Sequence, residues 1–313
     1  MKVLHAMLCL CWLLLSLPAS ANLRAPSQIE GGLSTMIQSQ VPNGITLTAE
    51  KMQVRFPTLR SDQYLHRDDA RAHVAVHYYL HNDGAQRELP IEFLGLDLGA
   101  AEIRLNGQVI AADLAPQAVT DANYYRELLL QVIEHYVWES KQDWPMPHYP
   151  VLYQLCSERD ESTCPQTLEA WRQLIAQMDT ATLQQNALAF QIYAFHIALV
   201  PGDNILEVNY RQQLSFHEGY HDYFTDLGLD GAQMGFDYLL YPAESWHRSE
   251  QFVFDLEIIS PPLIDVGWLW NSELPARMST NMGGLTRDAN APIWRLSTPD
   301  FPVPVLSIRN LYR

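Results

Sequence analysis

The sequence predicts a mainly β protein: one or more immunoglobulin-like β-sandwiches interrupted by an inserted two-helix segment. Three observations carry this. Apolar residues alternate with period two from Gly44 to Ala112, the period turns helical after Asp121, and alternation returns at Asn186. Strands and helices thus occupy separate stretches of chain, which suits a sandwich with an insertion and not an alternating α/β order.

The first twenty-one residues read as a cleavable export leader: Lys2, an apolar stretch from Leu4 to Leu17, then Pro18-Ala19-Ser20-Ala21. We therefore expect residues 1–21 to be removed, the chain to start at Asn22, and the protein to be periplasmic or secreted. The apolar run is shorter than the roughly 20 residues a membrane-spanning helix needs. Cys9 and Cys11 lie inside it without the small residues a lipid-attachment cysteine requires.

Residues 22–119 form the first strand region. On one side of a strand stand Val74, Val76, Tyr78 and Leu80, and on the other His73, Ala75, His77 and Tyr79. Asp83-Gly84 and Asn106-Gly107 each predict a tight hairpin, because Gly and Asn accept positive φ.

Residues 120–186 form the helical insertion. Tyr125, Leu128, Leu129, Val132, Ile133, Tyr136 and Val137 share one helical face, and Pro145, Pro147 and Pro150 end that helix. A second helix should begin near Pro165 and present Leu168, Trp171, Ile175 and Met178.

Residues 187–313 form a C-terminal β-rich region. Phe190 to His196 and Leu206 to Phe216 alternate on either side of Pro201-Gly202-Asp203-Asn204, which predicts another hairpin. A strand pair is expected at Phe236–Leu240 and Phe252–Ile258. Pro261, Pro262, Pro275, Pro292, Pro299, Pro302 and Pro304 predict loops and edge strands at the end. Whether the two strand regions make one sandwich or two is open at this level.

Composition restricts partners. With 20 Lys+Arg against 36 Asp+Glu the formal charge is -16, and removing Lys2 with the leader adds one more negative unit. An acidic surface repels nucleic acid and anionic membranes, whose binding depends on neutralising negative charge. With 48% apolar and 18% charged residues, the chain has ample material for a packed core. After leader removal only Cys156 and Cys164 remain. They are expected to form a disulfide outside the cytoplasm, and closing so short a loop stabilises by about 2 to 3 kcal/mol. The C-x-x-C spacing of a redox site is absent.

Several segments together resemble a family of exported bacterial β-rich proteins of unknown function. They are Glu30-Gly31-Gly32-Leu33, the strands Met52–Phe56 and Val74–Asn82, Pro201–Arg211, and Tyr238–Trp246 ahead of the strand at Phe252. The resemblance implies an exported β-rich architecture with a helical insert and supplies no catalytic residue.

One motif argues for an enzyme. His217-Glu218-Gly219-Tyr220-His221 matches H-E-x-x-H, in which His217 and His221 bind zinc from one face of a helix and Glu218 activates the bound water, with Glu244 or His247 as a candidate third ligand. The spacing of Ser215 and Glu218 suits a capping box, yet Gly219 disfavours a helix interior and strand alternation runs into Phe216. We favour a polar turn after a strand. Asp226, Asp230 and Asp237 approach the spacing of a calcium loop, but Gly228 stands where a ligand is needed, and a solvated turn is preferred. His73, His77 and His81 share a strand face about 13 Å apart, too far to share an ion. Trp268, Trp270 and Trp294 are read as core or lid in preference to a ligand platform. No nucleophile elbow, phosphate loop or dinucleotide fingerprint occurs.

The expectation is thus a non-enzymatic exported β-sandwich that binds a protein or glycan partner at the cell envelope. No cofactor is expected. A zinc-dependent hydrolase is the alternative, and a calcium-stabilised structural protein the third reading.

Overall fold

The computed structural model describes residues 33–37, 44–58, 70–96, 101–114, 123, 126, 130, 167–179, 181, 183, 190–217, 233–240, 246–266, 271–274, 276–301 and 305–312. The expected leader and both mature cysteines, Cys156 and Cys164, lie outside them.

Two large sheets make a sandwich. One has eight strands in the order β15(Thr286–Arg287), β16(Ile293–Thr298), β11(Arg248–Ile259), β2(Ile45–Arg55), β3(Arg71–Asn82), β8(Gly202–Gln213), β5(Ala101–Leu105) and β6(Gln108–Leu114). The other has seven. Its order is β14(Ala276–Thr280), β17(Val305–Tyr312), β10(Gln233–Leu239), β1(Leu33–Ile37), β4(Arg87–Leu96) and β7(Phe190–Leu199), with β9(Ser215–His217) also paired to β10. A small separate ribbon joins β12(Leu263–Val266) to β13(Asn271–Leu274). Strands from before and after the insertion alternate within both large sheets, so the two regions share one sandwich.

The core is the layer between the sheets. Along β3 the inward residues Ala72, Val74, Val76, Tyr78 and Leu80 are buried, while His73, Ala75, His77, Tyr79 and His81 face outward, as period two requires. Phe93 and Tyr193 come from the seven-stranded sheet, and the Phe93 ring lies 5.0 Å from the Tyr210 ring of the opposite sheet. Fully burying one such side chain contributes roughly 1.5–3 kcal/mol, so this layer is the main source of cohesion. Trp294 belongs to it at 5% exposure.

Strand β2 contains a bulge. Leu47 pairs with Leu80 and Ala49 with Tyr79, leaving Thr48 as an extra residue whose hydroxyl donates to the Tyr79 carbonyl at 3.1 Å. Without this step, strict alternation from Leu47 would bring Ala49, Lys51 and Gln53 to the core face. With it, the buried positions are Glu50, Met52, Val54 and Phe56.

Of three expected hairpin turns one forms and two are corrected. Asn106-Gly107 does make the β5–β6 hairpin, both residues having positive φ of 51° and 78°. Asp83-Gly84 does not join paired strands: β3 and β4 lie in opposite sheets, and the chain crosses between them. The Pro201-Gly202-Asp203-Asn204 turn likewise carries the chain from β7 to β8 across the sandwich. The two crossings are neighbours, since β3 pairs with β8 up to Asn82↔Gly202 and β4 pairs with β7 from Arg87↔Leu199.

Buried asparagines close this corner. Asn82 Nδ2 donates to the carbonyls of Ala85, Leu199 and Val200, and Asn204 accepts from the Val200 amide while donating to the Val200 and Gly202 carbonyls. Side chains thereby satisfy backbone groups that leave one sheet before reaching the other.

Strands β10 and β11 also belong to different sheets and are not a pair. The proline-rich end is more than a cover. Its strand β17 contains no proline and lies between β10 and β14, inside the seven-stranded sheet. The prolines before it end the preceding strand and leave the next free to form.

The second expected helix is Leu168–Gln177. It starts after Thr167, whose hydroxyl accepts from the Ala170 amide at 3.1 Å, three residues past the expected Pro165. Trp171, Ile175 and Met178 are buried as expected. Asn123, Arg126 and Leu130 are helical, and Arg126 donates to the carbonyls of Ile175 and Met178 at the end of the second helix. A cation there adds a donor to carbonyls of the last turn, that of Ile175 also accepting from the Met178 amide, and opposes the helix's negative end.

Candidate functional site

A groove of about 690 Å³ lies on the outer face of the eight-stranded sheet, lined by Lys51, Gln53, Ala75, His77, Asp255, Glu257, Arg295 and Ser297 from β2, β3, β11 and β16. The pleat that sends Met52, Leu256 and Leu296 inward sends these side chains out. Ala75, opposite Gln53, leaves the floor low. Gly284 and Thr286 form a wall beyond β16. Gly284 has φ +67°, and a Cβ added there would meet Leu296 Cδ1 at 3.2 Å, so the close approach of this wall depends on glycine.

The groove is wired by hydrogen bonds. Glu257 accepts from Gln53 Nε2 at 2.8 Å and from Arg295 Nε at 3.0 Å, while Arg295 Nη1 donates to Asp288 at 3.1 Å. Ser297 Oγ donates to Asp255 at 2.7 Å, and Lys51 stands 3.9 Å from the other Asp255 oxygen and over the Tyr79 ring at 5.3 Å. The Asp288 carboxyl is held below its ordinary value by the Asn290 amide first and by Arg295 second. Exposed pairs like these contribute little to stability. What they do is hold donors and acceptors of both signs in a fixed array on a rigid sheet. The array suits recognition of a polar ligand.

The residues singled out in the sequence lie elsewhere. His217 ends strand β9 opposite Gln233, extended at the point where the zinc motif would need a helix to begin. Glu218, His221, Glu244, Asp226 and Asp230 lie outside the described residues, as do Trp268 and Trp270. Asp237 sits in β10, 5% exposed, and its carboxylate accepts from Ser307 Oγ at 2.7 Å and Arg309 Nη1 at 2.9 Å. Those donors are protein groups of β17, where a calcium ligand would turn its oxygens to an ion. Among the described residues, no three His, Cys, Asp or Glu side chains converge on a metal position.

The histidine face is confirmed as an outward row with three different environments. Arg55 and Arg211 flank His73 across the sheet, and partial burial first, then these two charges, lower its pKa from 6.5. His77 Nε2 is 3.9 Å from Glu207. His81 Nδ1 is 2.6 Å from Asp203 and its Nε2 3.2 Å from Asp83, and the Asp203 bond is the first cause of its raised pKa.

Sequence reasoning missed the groove, because its lining comes from four strands far apart in the chain. The outward phase of β3 did mark His77 and Ala75 as surface, but nothing local told that Asp255, Glu257 and Arg295 would stand beside them.

No protein-family model and no curated protein sequence matches the chain. Among solved structures it is similar to a candidate nutrient binding protein from Legionella pneumophila subsp. pneumophila, with TM-score 0.51 and 10% identity over 91% of this chain and 72% of that one. The likeness is one of fold. A similarity to the M1 zinc metallopeptidase from Deinococcus radiodurans has TM-score 0.32 and 11% identity, covering 87% of this chain and 43% of that one. The chain therefore spans less than half of that enzyme, at a score too low to bear on fold or chemistry. Among the described residues, no helix is long and apolar enough to cross a membrane.

Proposed function

We propose that this chain is an exported, non-enzymatic β-sandwich module of the cell envelope that binds a polar ligand, a glycan or peptide segment of a partner, in the groove above the eight-stranded sheet. The observation that carries this reading is the groove itself: about 690 Å³, in the size range of ligand sites, lined by hydrogen-bonding groups of both signs on a rigid sheet. The leader-like residues 1–21 support export, and the Cys156–Cys164 disulfide belongs to the same proposal. The fold shared with a candidate nutrient binding protein agrees with a binding role.

The test is a panel of oligosaccharides and short peptides, followed by NMR chemical-shift mapping and calorimetry. Shifts should cluster on β2, β3, β11 and β16. Arg295→Ala, which removes the fork held by Glu257 and Asp288, should weaken binding by about tenfold or more, since a charged hydrogen bond contributes roughly 1.5–3 kcal/mol. A ligand whose shifts map away from these strands, with unchanged affinity for Arg295→Ala, overturns the assignment.

A further inference from the structure

Behind the groove, on the core side of β2, lies Glu50, 0% exposed in the middle of the sandwich. The Thr48 bulge places it there, opposite Tyr78 of β3 and Phe254 of β11. Tyr238 of β10, in the other sheet, donates its hydroxyl to Glu50 Oε1 at 3.1 Å, and the Tyr78 and Tyr238 hydroxyls are 2.6 Å apart. A chain Tyr78, Tyr238, Glu50 therefore ties sheet to sheet through the core. The second oxygen, Oε2, is buried without a hydrogen-bond partner.

Among the described residues, the titratable groups that act on this carboxyl and on its two tyrosines are Tyr78, Tyr210 and Tyr238, from β3, β8 and β10, and no cation is among them. A carboxylate here would have one neutral donor and no counter-charge, which burial penalises heavily. We propose that Glu50 is a built-in proton switch: its neutral carboxylic acid is the form that fits the core, and ionisation of this one group loosens the tie between the two sheets.

Burial first pushes the carboxyl up to about 8, opposed by the Tyr238 hydrogen bond. The folded value thus exceeds the ordinary 4.5. For an acid with a raised folded value, the folded state holds the proton that the unfolded chain releases. Its stabilising contribution is full below about 4.5 and is lost as pH rises toward and through about 8. In that window the unfolding constant contributed by one proton rises by up to about tenfold per pH unit.

The experiment is urea unfolding of the full chain between about pH 5 and 9, wild type beside Glu50→Gln, which keeps the shape and cannot ionise. Titrating histidines are common to both proteins, so the difference between them isolates Glu50. The ratio of the two unfolding constants should change by up to about tenfold per unit as pH rises toward 8. Parallel pH profiles would overturn the proposal. Should Glu50→Gln fail to fold, infrared spectra of the wild type decide. A carboxylic-acid carbonyl band that resists exchange at pH 7 and disappears toward pH 9 supports the switch, and its absence at pH 7 overturns it.

Discussion

At the residue scale two outward histidines of β3, His73 and His81, show how surroundings set the charge of identical side chains, through partial burial first and then cationic neighbours for the one and a carboxylate bond for the other. His73 lies between Arg55 and Arg211, and His81 between Asp203 and Asp83. By NMR titration His81 should have a midpoint above the ordinary 6.5 and His73 one below it. The linkage signs oppose each other. His81, with its raised folded value, stabilises fully below 6.5 and loses that contribution as pH rises through its folded midpoint. His73 contributes above 6.5 and loses it as pH falls through its own lower midpoint. Equal midpoints would show that the cross-strand neighbours do not control the rings. Strand periodicity revealed that these histidines share a face, whereas their partners on β2 and β8 could not be read from β3 alone.

At the scale of elements, the bulge in β2 decides which side chains enter the core. Deleting Thr48 removes the extra residue and leaves Leu47, Glu50, Met52 and Val54 in regular alternation. Such a variant should stay folded, with a loss of about 1 kcal/mol for the Thr48–Tyr79 hydrogen bond. Deleting Gln53 shifts the phase of every residue beyond it and turns one half of the apolar set outward. Thermal melts should show a cooperative transition for the first deletion and none for the second. The reverse result would mean that β2 does not set the register. Elements were largely legible: strand alternation, the Asn106-Gly107 hairpin and the apolar face of Leu168–Gln177 all follow from local periods and turn chemistry. The crossings at Asp83-Gly84 and Pro201–Asn204 were not, because the same dipeptides serve a hairpin within a sheet and an arch between sheets. Only the tertiary partners of the flanking strands distinguish these.

For the whole molecule, the interleaving of early and late strands makes the fold depend on its end. Strand β17 buries Leu306, Ile308 and Asn310 and is bonded on both sides, to β10 and to β14. A chain ending at residue 300 leaves β10 an unpaired edge and opens the core along its length. It should show no cooperative melt by circular dichroism, although the removed segment follows a run of prolines that reads as surface. A cooperative melt near that of the intact chain would place β17 outside the folding unit.

Local patterns were enough to determine the mainly β class, the outward row of histidines and the helix face of Trp171, Ile175 and Met178, since each depends on neighbours within a few residues. The tertiary structure alone decided the pairing of strands across sheets, the groove assembled from β2, β3, β11 and β16, and the burial of Glu50 against Tyr238. These arise from contacts between residues as many as 204 positions apart, and a side chain's solvation and charge are set by such neighbours in space, which no local period records.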